Sequence, residues 1–421
     1  MLVSARVTSP ARTFEDGSAF TEWIEHARTV AELSPEDARG YEAYVELNAR
    51  MRDALRPAGE RDMWLGDPPS RDELEERLGG DEVAIATLFE DAYTTMLERF
   101  FSPRVVDALA GQGVIGTFAS PRDPGTASIA WHHSSGRITG YPGAWTYVRG
   151  GMGRVSFAIA DAAREAGAVI ATGVPVAAIR PGEGVELEDG TRIEARAVVS
   201  NADPRRALAL LGADAPPGLR DRVEAVPSES PVLKVNFALS ALPRFPQAEH
   251  ATRGTVNITG GADFMDRACR TAQAGGVADE LWCELYFQTV ADPSVAPEGR
   301  HVMSAFCQYV PYRLAEGDWD SRREEMADRV EASIERFAPG FRELVVEREA
   351  LAPPDVERKI GLTGGHIFQG ECLPEHMWDR RLPYRTGAEG VYLCGAGTHP
   401  GGSVIAANGR NAALAVLSDL G

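Results

Sequence analysis

The residues whose types and spacing could do chemistry stand close to the end of the chain, in Gly390-Val-Tyr-Leu-Cys-Gly-Ala-Gly-Thr-His-Pro-Gly-Gly-Ser-Val-Ile-Ala-Ala-Asn-Gly-Arg410. The pattern predicts a buried strand over 391–394, a glycine-dense turn over 395–402 and a helix opening near Ser403. Glycine lets backbone approach a ligand closely. The free N–H groups and positive end of a helix favour negative charge. A phosphate has that requirement, and so does the electron-rich edge of a reduced flavin. A strand–loop–helix corner whose glycines serve only tight packing has the same letters, so the glycines alone leave both readings open. His399, between Thr398 and Pro400, is a candidate acid or base, or a brace for the turn. Arg410 on the following helix reads more readily as a salt-bridge residue.

Other candidates are scattered. Lys234 stands between Leu233 and Val235 in an apolar run, where a lysine usually faces solvent. His366 follows Gly364-Gly365 and poses the same question as His399. His132-His133 has no carboxylate or cysteine at metal-ligand spacing, and no metal is expected. Tyr141, Trp145 and Tyr147 are candidates to line a substrate pocket, although aromatics at such spacing more often form core. No serine nucleophile elbow, zinc helix or P-loop is present, which removes hydrolase and NTPase readings. The five cysteines form no C-x-x-C pair, so no dithiol chemistry is expected and reduced thiols in the cytoplasm are.

These residues must be positioned by a mixed set of elements. Ser34-Pro-Glu-Asp37 is a capping pattern leading into a helix through Leu55. Helical spacing recurs over 70–100, interrupted at Gly79-Gly80. A helix follows the glycine cluster at 150–153, then short strands at Val169-Ile170 and 176–179. A hairpin turns at Asp189-Gly190. Apolar runs at 232–239, 281–290 and 301–310 read as strands, and 321–337 as a helix.

Several short motifs in one order carry a resemblance. They are Ala119-Ser-Pro121 with Pro124-Gly125, Gly143-Ala-Trp145, Tyr147-Val-Arg-Gly-Gly-Met-Gly153, Leu187-Glu-Asp-Gly190, Ser200-Asn201 with Pro204, Gln308-Tyr-Val-Pro-Tyr312, Ala338-Pro-Gly-Phe341 and Gly364-Gly-His-Ile-Phe368. With the C-terminal segment, they resemble the phytoene-desaturase-like branch of the FAD-dependent flavoproteins with the amine-oxidase fold. The resemblance implies an α/β, two-domain FAD-linked fold with an α+β substrate part. Its implied divisions are 1–149 (helices of the substrate domain), 150–215 (FAD-domain helix and β-meander), 216–353 (substrate sheet and helix) and 354–421 (closing FAD-domain segment). It implies FAD held by Gly395, Gly397, Gly401, Gly402, Ser403 and Val404 at the flavin edge, with Val176 at the adenine. It further implies hydride transfer from a C–H bond of a small apolar or amine-like substrate to the flavin.

Such proteins open with a strand, a G-x-G-x-x-G turn and a helix. This chain has no glycine before Gly17, and the reading at this point is a truncated Rossmann-like domain, by gene model, by a unit supplied in trans or by true loss. The literal match at Gly111-Gln-Gly-Val-Ile-Gly116 follows a helical run and lacks the βαβ context, so it is set aside. The rival is a flavin-free binding or scaffold protein derived from the family. Net charge of −19 argues against nucleic acid and anionic membrane as partners. No run is long and apolar enough to suggest an integral membrane segment. A homo-oligomer stays open.

Overall fold

The computed structural model describes residues 4–6, 11–13, 19–21, 26–57, 62–138, 141–143, 145–246 and 248–421. By its internal contacts the chain groups into two units. The first takes in 1–48, 90–170 and 231–354, the second 49–89, 171–230 and 355–421. Residues 49–89, read above with the N-terminal helices of the substrate part, thus group with the second unit.

The first unit is built on a seven-stranded sheet. Its order is Val345–Leu351, Val232–Leu239, His301–Gln308, Trp282–Tyr286, Thr255–Ile258, Ala11–Thr13 and Ala19–Thr21. All neighbours are antiparallel except Ala11–Thr13, which runs parallel to Thr255–Ile258. Side chains alternate across a strand, so each row of paired residues lies on one face. Leu233, Cys307, Cys283 and Ile258 form one such row, and Val235, Ala305, Leu285 and Val256 another. These apolar rows pack with Met326, Ala327, Val330 and Ile334 of the helix Trp319–Phe337 into the main core. Asp318 caps that helix by accepting from the Ser321 N–H at 2.8 Å.

Rows on the other face are polar. Lys234, Phe306, Glu284 and Asn257 stand in one, and Asn236, Ser304, Tyr286 and Thr255 in the next. Glu284, Asn257 and Ser304 are nevertheless buried. This face is covered in part by the protein itself, where Val232, Trp282 and Phe306 pack with Val114, Met265 and Tyr309 into a second apolar cluster.

The second unit pairs Val198–Ser200 with Val391–Leu393 in parallel. Beside it stands an antiparallel meander of Val176–Arg180, Gly184–Leu187 and Arg192–Glu194. Leu208, Leu211, Leu219 and Val223 of two helices pack with Val391 and Leu393 into its core. The meander turns at Asp189-Gly190 as its sequence requires, with Gly190 at φ +84°.

Three sequence expectations need correction. The last helix spans Ala407–Leu420 and opens four residues later than Ser403. Ser403 has φ +94°, a value no helix residue adopts, and Val404 and Ala406 have +55° and +56°. Val169 and Ile170 form no strand, because among the described residues none pairs with them. Among the opening residues, Ser4–Arg6 pairs antiparallel to Thr146–Val148 and is no part of a βαβ unit. The helical stretch over 70–100 breaks at Gly79-Gly80 and again at 90–92, giving Arg71–Arg77, Glu82–Phe89 and Tyr93–Glu98. The Gly111–Gly116 match begins in the short 3₁₀ turn Ala110–Gly113 after the helix Pro103–Leu109, with Gly111 and Gly113 closed against Trp282 and Tyr93.

Candidate functional site

The strand Val391–Leu393 delivers the chain into the glycine-rich loop, and Cys394 N–H donates to Ser200 O at 3.0 Å as it enters. The loop is then folded upon itself. Thr398 donates through both N–H and hydroxyl to Gly395 O, at 3.0 and 2.9 Å, and Gly401 N–H donates to Thr398 O at 2.8 Å. Asn408, on the last helix, donates to Thr398 O at 3.0 Å. These bonds fix residues 395–401 before any ligand is considered.

His399 sits at the centre of this brace. Its ring is fully buried, with Nε2 2.9 Å from the Met63 carbonyl oxygen and the Trp378 ring beside it. Its own carbonyl accepts from the Tyr384 hydroxyl at 2.7 Å, and Asn411 holds that hydroxyl at 2.9 Å. All of these contacts tie turn to scaffold.

Beyond Gly401 the character changes. Gly401 (φ +102°), Ser403, Val404 and Ala406 all occupy positive φ, three of them without the freedom of glycine. Such residues cost about 1–3 kcal/mol each and persist where surrounding structure enforces them. Among the described residues, the N–H groups of 402–405 donate to no protein acceptor. Val404 is 65% exposed. A run of N–H groups without protein acceptors just ahead of a helix N-terminus suits an anionic ring edge. The unbonded N–H groups of this segment thus lie at 402–405, ahead of the helix Ala407–Leu420 and not at its start.

The glycines themselves have a second explanation. A Cβ on Gly395 would meet Gln369 Oε1 at 2.4 Å, one on Gly397 would meet Pro204 Cγ at 2.6 Å, and one on Gly402 would meet Phe368 Cδ1 at 2.7 Å. Each is needed for packing inside the second unit. Val176 opens the meander, opposite Leu187, and is partly exposed.

The 361–372 loop backs this turn. His366 is buried and accepts the Phe368 N–H at Nδ1 over 3.3 Å, which leaves its Nε2 with no partner among the described residues. Burial first, then the Arg381 and Arg205 cations, draws its pKa down to about 3. Arg381 is itself buried, with no carboxylate at ion-pair distance among the described residues. It donates to Ala396 O and Phe368 O at 2.7 Å and to Glu371 O at 2.9 Å, stitching the loop to the glycine turn.

In the first unit, the expected pocket aromatics separate. The Tyr141 side chain lies outside the described residues. Trp145 is 56% exposed, stacked on His133, with its N–H donating to His133 O at 3.2 Å. Tyr147 goes inward. It contributes with Phe287, Val290, Ala291 and Arg253 to a cavity of about 270 Å³. Its hydroxyl is buried and makes no hydrogen bond among the described residues. Burial, then the Glu284 charge, pushes its pKa up to about 12, while the nearby Phe287 backbone works weakly the other way.

Glu284 and Tyr286, with Asn257, are functional candidates missed in the sequence. The Tyr286 hydroxyl donates to Glu284 Oε2, and Asn257 Nδ2 donates to Glu284 Oε1 at 3.4 Å. Lys234 Nζ lies 5.3 Å from the centre of the Tyr286 ring. Burial lowers the Lys234 pKa, partly offset by Cys307 and Glu284. Lys234 thus belongs to the withdrawn polar face, not to a solvated one. An acidic residue inside Trp-Cys-Glu-Leu-Tyr286, a run otherwise apolar or aromatic, was the available signal.

A two-unit α/β arrangement with a seven-stranded mixed sheet and a glycine turn before the last helix defines a class. The chain belongs to the flavin-containing amine oxidoreductase family, whose model matches residues 25–417. It is 39% identical to the mouse pyridine nucleotide-disulfide oxidoreductase domain-containing protein 2 over 77% of this chain and 60% of that protein. To the rat protein of the same name it is 34% identical, over 100% of this chain and 79% of that one. The chain thus spans only part of these relatives. It is 27% identical to the lycopene-forming phytoene desaturase of Pantoea ananas, over 56% of this chain and 48% of the desaturase. Its fold is that of cyclohexylamine oxidase from Brevibacterium oxydans, at TM-score 0.54 and 14% identity, covering 100% of this chain and 83% of the oxidase. Among the described residues no helix is long and apolar enough to cross a membrane.

Proposed function

We propose that this chain is the catalytic part of a FAD-dependent oxidoreductase that takes a hydride from a substrate C–H bond. The observation that carries the reading is the 402–405 run of unpaired N–H groups, held in positive-φ backbone by the braced turn before it. FAD supplies the electron sink when bound. The chain's own contribution is to hold the ring edge with the backbone of Gly401, Gly402, Ser403 and Val404, and the adenine beside Val176. Such fixed donors stabilise charge as it develops, at no cost of reorganisation.

The substrate is proposed to carry a polar group. Lys234, Asn236, Asn257, Glu284, Tyr286 and Ser304 give one sheet face a polar, charged character that favours an amine-like molecule over a hydrocarbon. Cyclohexylamine oxidase acts on an amine by its name, and phytoene desaturase on phytoene by its name.

A second reading rests on the glycine contacts. Gly395, Gly397 and Gly402 are all accounted for by internal packing, as a flavin-free binding protein would need. Anaerobic mixing of the FAD-incubated protein with primary amines and with an isoprenoid separates the possibilities. Bleaching of protein-bound flavin by amines supports the proposal and its substrate class. Bleaching by the isoprenoid alone overturns the substrate class, and failure to hold flavin favours the second reading.

A further inference from the structure

Cys283 and Cys307 are far apart in sequence and face each other across the sheet. They are direct register partners on the antiparallel strands Trp282–Tyr286 and His301–Gln308, on the apolar face beside Leu233 and Ile258. Both are fully buried. The Cys283 thiol donates to Leu281 O at 3.6 Å. Directly opposed residues on antiparallel strands have Cα atoms about 4.5–5.5 Å apart. A disulfide needs roughly 4.4–6.8 Å. Closing this pair therefore asks for rotation of two side chains and no movement of the strands. Among the described residues no third histidine, cysteine or carboxylate joins them to make a metal site. Cys269 and Cys372 are buried elsewhere, and Cys394 is partly exposed.

We propose that Cys283 and Cys307 are a redox pair that closes to an intrachain disulfide under peroxide, locking the two central strands of the first unit. The proposal stands independently of flavin binding. One thiolate attacks a peroxide oxygen, forming a sulfenic acid and releasing water with the proton that the thiol gave up. The second thiolate attacks the sulfenic sulfur and expels hydroxide, which takes the second proton as water. Two thiols and one hydrogen peroxide thus give one disulfide and two waters, with the sulfurs oxidised by two electrons and the peroxide reduced by two. The neighbouring Cys307 side chain, then burial, hold the Cys283 thiol protonated, and both thiols are buried, so closure is slow and follows brief opening of the strand pair.

The test uses the purified full chain in native buffer, treated overnight with hydrogen peroxide, unfolded in an alkylating agent and digested with trypsin. Cleavage after Arg300 places the two cysteines on separate peptides. The expected result is one linked pair lacking two hydrogens and released by dithiothreitol. The oxidised protein should also unfold at a higher urea concentration than the reduced form. Cys283→Ser and Cys307→Ser should each abolish link and shift, and Cys269→Ser neither. Recovery of Cys283 and Cys307 both alkylated, while Cys394 is oxidised, overturns the proposal. A link seen only after complete unfolding overturns it too. The wild-type peptide map decides even where a variant fails to fold.

Discussion

His366 and Arg381 place a neutral imidazole beside a buried cation. His366 binds its proton only near pH 3 in the folded chain, against about 6.5 in an unfolded one. Below pH 6.5 the unfolded state therefore carries the extra proton, and stability falls as pH falls from there toward 3. The loss is about 1.4 kcal/mol per pH unit for this one group. Urea midpoints from pH 7 to 4 should drop more steeply for the wild type than for His366→Gln, and parallel curves would contradict the assignment. Arg381 is tied to Ala396, Phe368 and Glu371 carbonyls. Arg381→Met leaves those acceptors unpaired inside the fold and should cost about 3 kcal/mol. Arg381→Lys should recover little, because a single ammonium cannot span the fork. Chemical denaturation of both variants checks this.

Elements explain why some of this was legible and some was not. The strand at 391–393, the turn at Asp189-Gly190 and the long strands 232–239 and 301–308 follow from hydrophobic runs and turn residues, and they stand where the letters put them. The start of the last helix did not, because Ser403-Val-Ile-Ala406 has ordinary helix-compatible letters and only the braced turn forces it into positive φ. Register was equally hidden. Nothing in the spacing shows that Lys234, Glu284 and Asn257 share a row, or that Cys283 meets Cys307. The strained loop yields its own prediction. Ser403→Gly removes a residue from φ +94° and should leave thermal stability equal or higher by up to about 1 kcal/mol. If the strain serves flavin binding, the same change should weaken FAD affinity several-fold. Reduced stability with unchanged affinity would show the loop to be purely structural.

At the scale of the whole molecule, charge and cofactor dominate. A net charge of −19 repels itself, and salt screens that repulsion over about 10 Å at 0.1 M. The thermal midpoint should therefore rise by a few degrees between low salt and 0.3 M sodium chloride, about 1 kcal/mol at this size. A fall would mean that ion pairs such as those of Arg348 with Glu324, Asp328 and Glu331 outweigh the net repulsion. The function proposed above requires that this chain hold a flavin. Its most direct test is the visible absorption spectrum of the purified protein after incubation with excess FAD and desalting. Flavin bands should travel with the protein and weaken in Ser403→Gly. A stable, monodisperse protein that elutes colourless would contradict it.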